Sequence, residues 1–184
     1  MNTITAIGLA QLSSLIVLVL CALWYVVPWL KARSLADALV PLLWVHAFRS
    51  VALQLYSAQQ TGFPISDAVR DHNVFGDLAG MVIALLAIAA LRYRVRYALA
   101  LVWLLVAETV VEVATGMPAA ARDHALGFAS GATWLVLVYY VPLVLVSLVL
   151  IVWQLVSRRS EPIATGPRAA GHAGKTLPQG KQIA

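Results

Sequence analysis

Trp44 to Ser57 reads WVHAFRSVALQLYS, and it sets His46 and Arg49 inside an apolar run long enough to cross a bilayer. An arginine near the middle of a spanning helix costs about 2.5–3.5 kcal/mol on insertion scales, so it calls for a buried partner. Two other apolar runs supply candidates of the right sign: Asp77 in one, Glu108 and Glu112 in the other. The rest of the chain can be read as arranged around this arginine.

Of 184 residues, 61% are hydrophobic and 11% charged. Spans are expected at about 5–30, 38–58, 74–91, 97–115 and 130–156. Each reaches the roughly 20 residues that cross about 30 Å of hydrocarbon, allowing for tilt. Stretches such as Leu15–Leu20 and Met81–Leu91 are apolar all round, unlike a surface helix of a soluble domain. Period-two alternation is missing, which leaves helices and not barrel strands. The expected fold is therefore an all-α integral membrane bundle of five transmembrane helices over residues 1–157. The remainder, RRSEPIATGPRAAGHAGKTLPQGKQIA at 158–184, is rich in Pro, Gly and basic residues and reads as a disordered basic tail. The first run has no Lys or Arg before its apolar core and no small-x-small cleavage site after it, so it reads as a retained helix. The one cysteine, Cys21, lies inside that run and reads as a packed thiol.

Ten of the thirteen basic residues fall on one side of the expected membrane: Lys31 and Arg33, then Arg92, Arg94 and Arg96, then Arg158, Arg159, Arg168, Lys175 and Lys181. Arg70 and Arg122 lie in the alternate loops, where Asp67, Asp71 and Asp123 outnumber them. The positive-inside rule then places the N-terminus outside and the C-terminus in the cytoplasm of a multi-pass cell-membrane protein, of the bacterial inner-membrane type. Trp24, Trp29, Trp134 and Trp153 fit as interfacial anchors. Topology setting accounts for the basic residues, so they do not point to nucleic acid.

This orientation assigns depth. At about 100° per residue, His46, Arg49, Ser50, Leu53, Gln54 and Ser57 share one broad face of the second span. Asp77 falls in the outer part of the third span. Glu108 lies just past the middle of the fourth, with Glu112 a turn further out. Gln11, Ser13 and Ser14 sit in the outer half of the first. Their common depth predicts a polar pocket in the outer half, with His46, Arg49, Gln54, Asp77, Glu108 and Glu112 as ligand-binding candidates. The pairs Gly76 with Gly80 and Gly127 with Gly131 have the spacing of close helix approach. Pro142 is expected to disturb the fifth helix and free a carbonyl, with Tyr139 or Tyr140 turned toward the cluster.

Several chemistries are excluded. His46 is the one histidine within a span, so a bis-histidine haem lacks its second ligand, and no Cys/His grouping supports zinc. Retinal as a Schiff base needs a lysine inside a span, and none is there. Ser50 and Ser57 lack the flanking pattern of a catalytic serine. No cofactor is expected. One arginine faces three carboxyl groups, so one acid is expected to hold a proton: Glu108, unless the arginine lies against it, in which case Glu112 or Asp77. The expected function is binding or transport of a small polar or amphipathic ligand with linked protonation, in contact with membrane lipid. Two copies of the chain would supply the symmetry that five spans lack. The alternatives are an intramembrane acid–base enzyme acting on a lipid or polyprenyl substrate, with Glu108 or Glu112 as acid or base, and an accessory subunit of a larger membrane complex.

Overall fold

The computed structural model describes residues 2–123 and 125–161. Helix is the only regular secondary structure among the described residues, with five helices long and apolar enough to span a membrane. They are α1 (Thr3–Lys31), α2 (Leu35–Gln60), α3 (Asp67–Arg92), α4 (Ala98–Arg122) and α5 (Gly131–Ser157). The helices α3 and α4 extend past the expected spans at the end opposite the basic loops, beginning at Asp67 and ending at Arg122. The tail reading falls mostly on residues 162–184, outside the described residues.

Local chemistry sets the helix starts. Asn2 Oδ1 accepts the Thr5 amide at 2.8 Å, and Ser34 Oγ accepts the Asp37 amide at 3.2 Å, so each occupies one of the unpaired donors of a first turn. At α3 the arrangement differs. Ser66 turns its own amide and hydroxyl to Asp123 Oδ2, at 2.9 and 2.7 Å, which ties the start of α3 to the end of α4. At the other end of the bundle, Glu161 accepts the Leu35 amide at 2.9 Å and meets Arg158, whose Nη2 also reaches the Arg33 carbonyl. The Leu35 amide, joined by Arg158, holds the Glu161 carboxyl below its usual range.

Two helices carry a π-helical turn just ahead of a proline: Ala22–Val26 before Pro28, and Val136–Tyr140 before Pro142. The second shows the cause. The Val141 amide donates to Val136, and Pro142 has no amide hydrogen, so the Leu137 carbonyl loses both of its helical donors. Gln11 of α1 fills the gap, its Nε2 donating to Leu137 O at 2.9 Å. The same turn carries Tyr140, whose hydroxyl donates to the Val45 carbonyl of α2 at 2.8 Å. One helical turn pair further along, Ser147 Oγ donates to Leu42 O at 3.0 Å. The carbonyl freed by Pro142 thus docks α1, and Tyr140 is the tyrosine that turns inward. Tyr139 is exposed on the bundle surface.

The apolar core lies toward the end of the bundle that carries the basic loops. Leu39, Leu43, Ala84, Ala87, Val102, Leu105 and Ile151 are all fully buried there, contributed by α2 to α5. The helix α1 packs chiefly on α5, and Leu12, Ile16, Val17, Leu23, Trp24 and Tyr25 leave its outer face apolar and exposed. Cys21 is also exposed, not packed as expected from the sequence. An exposed apolar face of this kind is compatible with a hydrocarbon environment.

Candidate functional site

Beyond the core, toward the opposite end of the bundle, α2 changes its winding. From Phe48 to Leu53 it is a 3-10 helix, flanked by α-helix on both sides. Residues three apart are eclipsed at about 120° per step, so Arg49 and Ala52 come to one inward line and are buried. This corrects the face expected from uniform α-helical winding: Leu53 is 47% exposed, and Ser57 is exposed beyond it.

Arg49 is the largest fully buried side chain of the described residues, at 1% exposure. Its guanidinium is completely engaged. Nε donates to Asp77 Oδ1 at 2.6 Å. Nη1 donates to Glu108 Oε2 at 2.7 Å and to Thr109 Oγ1 at 3.0 Å. Nη2 donates to Glu112 Oε2 at 3.0 Å and more weakly to Glu108 Oε1 at 3.4 Å. Five N–H groups thus meet five protein acceptors, the full inventory of an arginine fork. The sequence asked which carboxyl pairs with Arg49, and in the structure all three do. Glu108 takes the fork with both oxygens. Asp77 and Glu112 each engage it with one.

Glycine makes the room. A Cβ at Gly80 would lie 2.5 Å from Arg49 Cζ and 2.8 Å from Glu108 Oε2, and one at Gly76 would lie 2.9 Å from Glu112 Cγ. The Gly76–Gly80 pair therefore admits the charged side chains to the surface of α3, where the spacing suggested close backbone approach. Gly116 does the same for Asn73. The other pair has a different use: Gly127 rests on Ile4, and Gly131 opens α5 with φ +52°, a conformation that favours glycine.

Next to the cluster is a cavity of about 130 Å³. Asp77, Glu112, Gln54, Asn73, Thr133 and Tyr140 supply its polar groups, and most of the remaining wall is apolar, including Phe63, Val113 and Val144. Gln54 is fixed there by Thr133, whose hydroxyl donates to its Oε1 at 3.1 Å. The three carboxyl side chains keep 16–23% exposure against 1% for the arginine, so they screen it from its surroundings. Five of the six expected residues are brought together here, with Glu108 behind the cavity wall. His46 is set apart. It is fully buried, off the cavity wall, and neither ring nitrogen has a hydrogen-bond partner among the described residues.

Above the cavity, charges pair locally. Arg70 contacts Asp67 and Asp71, each at 2.8 Å, bonds Gln59, and stacks on the Tyr56 ring at 4.5 Å. His72 Nε2 meets Thr115 Oγ1 at 2.9 Å, joining α3 to α4. Residues 6–156 match the model of a family described as a domain of unknown function (DUF8737). The chain belongs to this family. Its matched region reaches all five helices and contains the whole arginine cluster and cavity, so the site lies within the family's domain. Neither a curated protein nor a solved structure matches the chain.

The sequence did not single out Thr109, Asn73, Thr133 or Gly116 as parts of the site. Thr109 neighbours Glu108, and a hydroxyl in an apolar run is its only signal. Asn73 and Thr133 lie near the expected span ends, where polar residues are ordinary.

Proposed function

We propose that the protein is an integral membrane protein of five spans that binds or transports a small polar or amphipathic ligand, with protons linked to its binding, at a site in the outer half of the bilayer. In this reading the N-terminus lies outside and the end following α5 lies in the cytoplasm. The cavity beside the Arg49 cluster carries the proposal: an apolar wall with a few converging polar groups is the usual form of a small-ligand site. Support for the orientation comes from Lys31, Arg33, Arg92, Arg94, Arg96 and Arg158, which all flank the apolar-core end of the bundle, with the cavity toward the other. The alternative of an acid–base enzyme then rests on Glu112, which lines the cavity with one oxygen off the guanidinium, and not on Glu108, which has both oxygens on it.

Cysteine accessibility tests the orientation and the entry side together. In a Cys21→Ser background, single cysteines are placed at Ser66, at Ala120 on the cavity wall and at Ser160. A small membrane-impermeant thiol reagent added to intact cells is expected to label the first two and spare the third. Labelling at Ser160 with sparing at Ser66 would reverse the orientation. Labelling at Ser66 with a silent Ala120 would show that the cavity does not admit a polar molecule from outside.

A further inference from the structure

Charge balance narrows the ligand. Arg49 contributes one positive charge, and Asp77, Glu108 and Glu112 contribute three carboxyl groups. With all three ionised the cluster carries two excess negative charges, and a buried site holds these poorly without compensating positive charge. Compensation can come from protons or from a bound cation. An anionic ligand would worsen the balance.

The hydrogen-bond geometry points the same way. Every N–H of Arg49 is already given to a protein acceptor, so the guanidinium has nothing to offer a carboxylate or phosphate in the cavity. Among the described residues, Arg49 is also the one cationic side chain on the cavity wall. Asp77 and Glu112 line the cavity and engage the arginine through one oxygen each, which leaves the second oxygen of each as a place for a proton or a cationic head. Around them, Tyr140 and Phe63 add aromatic surface of the kind that favours an organic cation, and the aliphatic wall suits an alkyl chain.

Resting on the ligand-binding reading above, we propose that the ligand is a small amphipathic organic cation of the alkylammonium class. Its charged head lies against Asp77 and Glu112, its chain lies along the apolar wall, and its entry displaces a proton from the carboxyl pair. The groups that set this exchange come from every helix around the cavity: Arg49 and, a turn below it, His46 on α2, Asp77 on α3, Glu108 and Glu112 on α4, and Tyr140 on α5.

A charge series on the intact protein in lipid nanodiscs tests this, with one cavity-filling variant as the control. Calorimetric titrations use butyltrimethylammonium, whose charge does not change with pH, hexanol as an uncharged counterpart and hexanesulfonate as an anionic one. The cation is expected to bind best, its affinity rising about tenfold per pH unit where one proton is displaced. Hexanol should bind more weakly and without pH dependence, and hexanesulfonate should not bind. Ala120→Phe, which fills the cavity, should abolish the cation signal. Stronger binding of hexanol or hexanesulfonate, lost in Ala120→Phe, would overturn the cationic class and leave the ligand-binding reading in place. Cation binding with a flat pH profile would overturn the exchange, and binding unaffected by Ala120→Phe would place it elsewhere. If none of the three binds, the ligand-binding reading falls as well.

Discussion

Arg49→Ala is expected to destabilise the bundle by about 3–5 kcal/mol, the range for removing one partner of a buried ion pair. The loss is more than five hydrogen bonds. Removing the guanidinium leaves three carboxyl groups facing one another at low exposure, with repulsion where there had been attraction. Arg49→Lys should fall well short of full rescue, since an ammonium cannot present a planar fork to Asp77, Glu108 and Glu112 together. Glu108→Gln added to Arg49→Ala should recover only part of the loss, because two acids remain. Denaturant unfolding in micelles gives the comparison. A change within about 0.5 kcal/mol, the level of an ordinary surface substitution, would mean that Arg49 does not hold these helices together.

Gly80→Ala should be the most damaging glycine-to-alanine change among the described residues. The new Cβ would sit 2.5 Å from Arg49 Cζ and 2.8 Å from Glu108 Oε2. Neither side chain is free to give way, since the arginine is held by five hydrogen bonds. Overpacking of this kind costs about 1–3 kcal/mol, and displacement of the fork adds to it. The informative comparison is the double mutant: with Arg49→Ala already present, Gly80→Ala should cost little, giving a strong coupling between the two positions. Gly8→Ala is the control. Nothing lies within 4 Å of a Cβ there, and in a helix alanine replaces glycine with a gain of up to about 1 kcal/mol. Equal effects at Gly80 and Gly8 would show that the arginine does not lie on α3.

Much of this architecture is legible in the residues. The five helices follow from run length and composition, and the common depth of Arg49, Asp77, Glu108 and Glu112 is visible once the spans are drawn. What the chain does not display is which helices are neighbours. For that reason the arginine's partner stays open among three acids in the sequence, while in space α2, α3 and α4 bring all three to it.

Helix phase is the second limit. A uniform 100° step holds through His46 but fails at Phe48, where the winding tightens, and the expected face then assigns Leu53 and Ser57 to the interior. Nothing in FRSVAL announces a 3-10 turn. Small residues are the third limit: the spacing of Gly76 and Gly80 is the same whether a neighbouring backbone or a charged side chain fills the space, and here it is the latter. The effect of Pro142 is easier to read, because a missing amide hydrogen must leave a carbonyl without its donor.

One buried arginine is shared by three carboxyl groups from two helices. Solid-state NMR on uniformly labelled protein in lipid bilayers addresses it directly, through carbon–nitrogen correlations from the Arg49 guanidinium, assigned by their loss in Arg49→Lys. Contacts are expected to three side-chain carboxyl carbons, those of Asp77, Glu108 and Glu112, each removed by its own amide substitution. Contact with a single carboxyl carbon, or with none, would contradict it.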